Sequence, residues 1–393
     1  MKGNSSALAS SFEFHKRLEP FSSFVAREKL PLAFFGGTFT LIMLAALFIP
    51  DASFFYSRVE TDQLLYLLKA KAFVETGSAA TARSAINSNP LPYAAMPGLI
   101  RSPFMMLFNE FDYQLRGMQL MNVAFGILVG TMSAYILSWS LPERLHRWAV
   151  AFAFGFMICS PDWLTNMFVP MADLPYATFT LACVLIAASV FAGEKPLSSR
   201  IPLLVTWVVL FGIAFGLRYT APVLFIYAAA LLRQRWRGRT VPRWLLVAMV
   251  VIPVILLAGL IALNSTAIFG RYLREPVSFF FVSDKKGMIL NLIGASVPAQ
   301  IVPGFLLGFQ VRPLSSKMDP VFATTPRDAV WVAFGVIVTA IVVYGAVKAW
   351  RRQLPEILYV LAPLPVLALM IPSTARYLMS YEPFIWAWFV VGL

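Results

Sequence analysis

Long apolar runs constrain the fold of this chain more than any other feature of its sequence. Of its 393 residues, 59% are hydrophobic and 13% are charged, whereas a typical soluble domain is about a quarter charged. A helix that crosses a membrane needs roughly 20 mostly apolar residues. The runs therefore predict an all-α polytopic membrane protein, one domain over 1–393, with about ten or eleven transmembrane helices.

The predicted spans cover most of the chain. They lie at 30–50, 115–140, 148–168, 174–193, 201–217, 219–233, 243–263, 328–347, 355–372 and from 383 onward. Too few residues follow 383 for a crossing. The last helix is therefore predicted to be half-inserted or to continue beyond this sequence.

Basic residues collect in alternate connections between the spans. The clusters are Lys16, Arg17, Arg27 and Lys29; Arg144 and Arg147; Lys195 and Arg200; and Arg233, Arg235, Arg237, Arg239 and Arg243. Such an alternation predicts that these connections are cytoplasmic in an inner or plasma membrane. The formal charge of +13 is thus explained by topology, and no nucleic-acid partner is predicted.

The stretch 201–232 is too long for one span. At about 1.5 Å per residue a single helix would far exceed a hydrocarbon core of about 30 Å. It would also place the five-arginine cluster outside. We therefore predict a turn at Arg218-Tyr219.

Two external regions are predicted. The first, 51–114, carries two surface helices, at Thr61–Thr76 and at 93–109. Apolar residues recur at helical spacing in the first of these: Leu64, Leu65, Leu68, Ala72 and Phe73. The second region, 264–327, is predicted to be external, with its apolar stretch 288–310 on or dipping into the outer leaflet as a cover. A crossing at 288–310 would place Lys348, Arg351 and Arg352 outside, and Pro298 and Pro303 make that stretch a poor continuous helix.

Carboxylates stand at the outer ends of two spans. Glu60 and Asp62 follow the first span, and Asp173 begins the fourth. A carboxylate at the mouth of a helix bundle can act as a general base, and an ionisable residue at a span end marks a functional site if it faces the interior. The alternative for Asp62 and Asp173 is helix capping.

Two outer arginines are candidates for phosphate recognition. Arg218 lies at the predicted turn and Arg376 precedes Tyr377. Guanidinium groups bind phosphate in a bidentate manner, although an arginine beside a tyrosine is also a common interfacial anchor. The predicted outer side has no His or Cys, which argues against hydrolase triads and thiol catalysis.

Several short motifs, in this order along the chain, resemble the GT-C superfamily of membrane glycosyltransferases, in particular the group of protein mannosyltransferases and lipid A aminoarabinose transferases. The motifs are Glu60-Thr61-Asp62 with Tyr66 and Lys69, Asn89-Pro90-Leu91-Pro92-Tyr93, Ala172-Asp173-Leu174-Pro175, Gly216-Leu217-Arg218, Asn264 with Phe269-Gly270, and Ala375-Arg376-Tyr377. The first loop departs from the family pattern, because Gln63 follows Asp62 where members often have a second acid.

The resemblance implies transfer of a sugar from a polyprenyl-phosphate carrier to a lipid, glycan or protein acceptor outside the membrane. Asp62 would be the base, with Glu60 and Asp173 assisting it. The implied substrate-binding residues are Arg218, Arg376, Tyr66, Lys69, Tyr93 and Tyr377. No cofactor is specified, and the altered acid pair leaves open whether a divalent metal binds.

Two other functions stay open. A transporter or lipid flippase would place ionisable residues near the bilayer midplane in related halves, whereas the acids here collect at span ends. A catalytically inactive scaffold with the same bundle would explain the altered acid pair.

Overall fold

The protein is described here by a computed structural model. The structure describes residues 20–48, 61–78, 96–168, 172–191, 197–218, 220–235, 251, 255, 326–363 and 379–393. Within these ranges all regular structure is helical and no β-strand occurs. The predicted all-α class is confirmed to that extent.

The first half of the described chain contains nine α-helices. They are α1 (Phe21–Arg27), α2 (Lys29–Phe48), α3 (Thr61–Thr76), α4 (Met96–Leu99), α5 (Ser102–Leu107), α6 (Phe111–Ser140), α7 (Ala149–Cys159), α8 (Pro161–Phe168) and α9 (Asp173–Phe191). A 3₁₀ turn, Glu143–Trp148, connects α6 to α7.

Five further α-helices are described after α9. They are α10 (Ile201–Leu217), α11 (Val223–Arg235), α12 (Pro326–Ala349), α13 (Leu354–Leu361) and α14 (Glu382–Gly392). A second 3₁₀ turn, Leu197–Arg200, precedes α10. Of the predicted elements, the span 243–263 lies outside the described residues except at 251 and 255, and the cover 264–327 lies outside except for its last two positions.

Three helices in the described ranges, α2, α6 and α9, are long and apolar enough to cross a membrane. Shorter apolar helices occupy α10, α11 and the second half of α12. These segments coincide with predicted spans. Three of the predicted spans thus have the length and apolarity that a membrane crossing needs, and the total number of spans stays a prediction.

Prolines determine where several helices begin. Pro lacks a backbone N–H and has a helical φ, so it fits the first turn of a helix. First-turn prolines of the described helices are Pro31, Pro97, Pro103, Pro161, Pro175, Pro202, Pro326, Pro355 and Pro383. The same property breaks the predicted span 148–168, because Ser160 before Pro161 is extended (φ −94°, ψ 116°). That prediction of one continuous helix was wrong.

The predicted turn after α10 is confirmed. The helix ends at Leu217, and Arg218 is extended. Phe225 of α11 then returns along α10, with its ring centroid 4.7 Å from that of Phe211 and 5.4 Å from that of Trp207. A continuous helix would hold residues 211 and 225 about 21 Å apart along its axis, so the chain reverses direction at Arg218.

Helix α9 lies at the centre of the bundle and packs against α6, α10 and α11. Its side chains are buried on nearly every face. Within α9, the hydroxyl of Thr180 donates to the carbonyl of Tyr176 at 2.6 Å. Between helices, the indole N–H of Trp207 in α10 donates to the carbonyl of Cys183 at 3.0 Å. The first residues of α9, from Asp173 to Pro175, are buried as well.

The first external region differs from its prediction in the second of its two helices. Helix α3 has the predicted bounds, but the expected helix 93–109 is divided into α4 and α5 by a turn at Ile100-Arg101. The buried side chains of α3 include Ala72 of the predicted apolar set together with the polar Tyr66 and Lys69, while Leu68 and Phe73 are half-buried. The side chains of Leu64 and Leu65 lie outside the described residues.

Candidate functional site

Asp173 and Arg218 form a buried ion pair. Nη2 of Arg218 donates to Oδ1 of Asp173, and the side chains are 11% and 1% exposed, respectively. Asp173 begins α9 and Arg218 ends α10, so the pair joins two helix ends. Oδ2 of Asp173 is also buried and accepts no hydrogen bond from the part of the chain that the structure describes. One oxygen of a buried carboxylate is thus left for another donor.

A second contact ties the same two segments together. Tyr176 follows Asp173 by almost one helical turn, and Thr220 follows Arg218 by two residues. Oγ1 of Thr220 donates to the Tyr176 hydroxyl at 3.0 Å, and Tyr176 is 2% exposed. Two polar contacts therefore fix the chain after α10 to the first turn of α9, which sets the position of Arg218 relative to Asp173.

Arg101 contributes another buried cation. Its side chain is fully buried, and Nη1 donates to the carbonyl of Pro97. Burial lowers the pKa of Arg101 to about 10, while attraction to Tyr66 and Asp173 acts in the opposite direction. A pKa near 10 still leaves the guanidinium charged at neutral pH. Asp173 therefore experiences two guanidinium groups, Arg218 from α10 and Arg101 from the external region.

Helix α4 explains why α3 turns the face of Tyr66 and Lys69 inward. An added Cβ at Gly98 would lie 2.9 Å from both the amide nitrogen of Ala70 and the carbonyl oxygen of Tyr66. Only glycine allows the two helices to come this close. The polar face of α3 is thus covered by α4, with Tyr66 7% and Lys69 1% exposed.

The remaining predicted site residues lie outside what the structure describes. Asp62 occupies a backbone position one turn before Tyr66 in α3, and its side chain lies outside the described residues. Glu60, Tyr93, Arg376 and Tyr377 also lie outside. The structure thus brings Asp173, Arg218 and Tyr66 into one region with Arg101, and the convergence of Asp62 and Arg376 on it stays a prediction.

Sequence reasoning missed Arg101. The available signal was a lone arginine among the apolar residues of 93–109. A single charge in an apolar segment is costly unless it has partners, and it marks a site for that reason. A single surface helix over 93–109 would leave Arg101 at the membrane surface, and that prediction gave it no buried partner.

A second polar cluster, also missed, surrounds Glu356 of α13. Glu356 is fully buried, and the hydroxyl of Tyr227 donates to its Oε1 at 3.1 Å. The ring of Tyr359 lies 5.6 Å from that of Tyr227 and 4.8 Å from that of Tyr381, measured between centroids. The cluster joins α11, α13 and the start of α14 through polar side chains.

No protein-family model, curated protein or solved structure matches this chain. The resemblance to the GT-C superfamily therefore stays a prediction that depends on the motifs themselves. Within the ranges that the structure describes, no three His, Cys, Asp or Glu side chains are grouped as ligands of a metal ion. The side chains of Glu60 and Asp62, on which the question of a metal depended, lie outside those ranges.

Proposed function

We propose that this protein is a multi-pass membrane glycosyltransferase that moves a sugar from a polyprenyl-phosphate carrier to an acceptor at the extracytoplasmic side. The observation that supports this most strongly is the buried Asp173–Arg218 pair at the ends of two apolar helices. A carboxylate and a guanidinium at one point are the groups that a sugar transfer from a phosphate requires.

Arg218 would take the phosphate of the carrier. It is the more exposed partner of the pair, with 11% of its side chain accessible against 1% for Asp173. When the C–O bond between sugar and phosphate breaks, the carrier leaves with an additional negative charge, and a guanidinium stabilises that charge. Arg376, with Tyr377, would supply a second anchor for the same phosphate.

Asp62 would act as the general base. Its backbone position precedes Tyr66 by four residues and Lys69 by seven, which places it on the face of α3 that packs toward α4. The acceptor hydroxyl would lose its proton to Asp62, its oxygen would form the bond to the anomeric carbon, and the carrier phosphate would leave. Glu60 and Tyr93 would contribute to the same region.

Asp173 would have two tasks. Its Oδ1 holds Arg218 in place, and its Oδ2 would accept a hydrogen bond from a hydroxyl of the sugar or the acceptor. A buried oxygen without a donor costs free energy. A hydroxyl that supplies this hydrogen bond on binding would thus be bound selectively.

The membrane would provide the binding site for the prenyl tail. Apolar side chains of α2 and α10, such as Phe34, Leu41, Val205 and Val209, are 56–69% exposed. Such surfaces suit contact with lipid chains. The region 264–327 would cover the tail where it enters the bundle.

The decisive experiment compares Asp62→Asn with Glu75→Gln in purified protein reconstituted in nanodiscs. A panel of polyprenyl-phosphate sugars serves as donors, and transfer or donor cleavage is measured. Loss of a general base is expected to reduce the rate by roughly 100-fold to 10,000-fold. Glu75 is an exposed residue of the same helix that pairs with Lys71, so its substitution should leave the rate unchanged. Full activity of Asp62→Asn would remove the proposed base.

A transporter or flippase is the second candidate, and the Glu356 cluster favours it. A carboxylate fully buried in an apolar bundle is a frequent part of a substrate or ion pathway. Accumulation of a lipid-linked substrate in sealed vesicles without a covalent product, lost in Glu356→Gln, would support this function over sugar transfer.

A further inference from the structure

Arg101 has no task in the chemistry proposed above, although it is the most deeply buried arginine of the site. Its side chain is fully inaccessible, and the carboxylate of Asp173 attracts its charge. Removing a guanidinium from water costs several kcal/mol in general. A buried guanidinium such as that of Arg101 therefore needs a favourable interaction that offsets this desolvation cost.

Helix α4 packs between α3 and α10 and contacts both. On one side, Gly98 contacts the backbone of α3 at Tyr66 and Ala70. On the other side, the side chain of Met96 lies against Gly216, where an added Cβ would be 3.0 Å from Cε of Met96. Gly216 is two residues before Arg218, so α4 contacts α10 next to the ion pair.

Arg101 lies two residues after the end of α4, and its guanidinium donates a hydrogen bond to the carbonyl of Pro97 in that helix. The guanidinium is therefore fixed to α4, and α4 is fixed to α3. Its attraction to Asp173 connects this external unit to the start of α9. The charge of Asp173 thus interacts with Arg218 of the bundle by direct contact and with Arg101 of the external region by electrostatic attraction.

We propose that Arg101 is a positioning residue that acts through Asp173. It holds α3, the helix that carries Asp62, and α4 against the bundle. It also acts on the carboxylate of Asp173 together with Arg218. This inference depends on the proposed function for its purpose, but the coupling between Arg101 and Asp173 is testable without any substrate.

The test is a double-mutant cycle with Arg101→Gln, Asp173→Asn and the double variant, read by amide hydrogen exchange of the full chain in nanodiscs. Each single variant is expected to accelerate exchange over 61–78 and 96–107 by about tenfold, as for the loss of one buried charge contact. The double variant should be no faster than the faster single one. Arg101→Lys, which keeps the charge, should exchange more slowly than Arg101→Gln.

Arg116→Gln is the matched control. Arg116 belongs to the same end of the bundle, but its guanidinium donates to the carbonyl of Leu47 in α2. Exchange over 61–78 should therefore stay at the wild-type rate. Additive effects in the cycle, or wild-type exchange in Arg101→Gln, would overturn the proposal. If Arg101→Gln does not fold, Asp173→Asn alone must release 61–78 and 96–107, and wild-type exchange there would overturn it equally.

Binding of a polyprenyl phosphate separates this inference from the proposed function. If the wild type does not bind this probe, the glycosyltransferase proposal fails, and the exchange cycle still decides the coupling. If Arg101→Gln loses the probe but exchanges like the wild type, Arg101 contacts the ligand directly and the positioning role is wrong. Weaker binding together with faster exchange is the expected result.

Discussion

The carboxylate of Asp173 and the guanidinium of Arg218 connect the beginning of α9 with the end of α10 in a largely desolvated contact. Because α9 is the central helix, this pair is anchored to the most buried element of the fold. A buried ion pair contributes little net stability relative to an apolar pair, but its disruption leaves one charge without compensation. The pair therefore responds asymmetrically to single and double substitution.

This asymmetry gives a stability prediction. Asp173→Asn or Arg218→Gln alone should each destabilise the protein by about 3–5 kcal/mol, since one buried charge remains. The double variant should lose less than the sum of the two. Thermal unfolding in detergent, followed by tryptophan fluorescence, measures all three, and strictly additive losses would show that the two charges are not coupled.

Gly98 provides a test of the contact between α3 and α4. Gly98→Ala adds a methyl group 2.9 Å from two backbone atoms of α3, which cannot move as a side chain would. We expect the two helices to separate, with protease sensitivity of 61–78 increased several-fold. Gly155→Ala is the control, because nothing lies within 4 Å of a Cβ at that position of α7. There, the better helix propensity of Ala should stabilise the protein by up to about 1 kcal/mol.

The sequence was sufficient for features that depend on local pattern. Helix α3 begins and ends where the spacing of its apolar residues predicts, and the turn at Arg218 followed from the length of 201–232 and the charge of the next connection. The same reasoning about sides of the membrane placed Asp173 and Arg218 at one end of the bundle. A shared end is a requirement for their contact, which the structure shows.

Features that depend on tertiary packing were not predictable in this way. The break at Ser160-Pro161 was missed because an average over an apolar window is insensitive to one proline. The burial of Tyr66 and Lys69 on α3 follows from the close approach of Gly98, which the spacing of apolar residues does not encode. Arg101 and Glu356 acquire their surroundings from helices distant in sequence, and no local pattern encodes those contacts.

The hydrogen bond from Tyr227 to Glu356 yields a third prediction. Tyr227→Phe removes a donor to a fully buried carboxylate and should destabilise the protein by about 1–3 kcal/mol. Tyr344→Phe is the matched control, because Tyr344 is 54% exposed and its ring, over which Nζ of Lys348 lies at 4.3 Å, is retained. Equal melting temperatures for the two variants would contradict a stabilising role of the Tyr227 hydroxyl.

The break between α7 and α8 makes the sidedness of the chain a specific question. Five predicted spans separate Ser78 from Gly238, and an odd number places the two positions on opposite faces. If 148–168 enters the membrane and returns at Ser160-Pro161, the number becomes four and the faces become the same. Five arginines surround Gly238 in sequence, and their export would violate the positive-inside tendency.

We therefore predict that Ser78→Cys reacts with a membrane-impermeant maleimide in intact cells and that Gly238→Cys reacts only after permeabilisation. The parent chain must lack Cys159, which is exposed, and Cys183, which is buried. That cysteine-free parent should not react under either condition, and both single-cysteine chains should react once the membrane is permeable. Labelling of both positions from outside would mean that α7 and α8 do not cross together, and the site at Asp173 would then have to be reassigned to the opposite face.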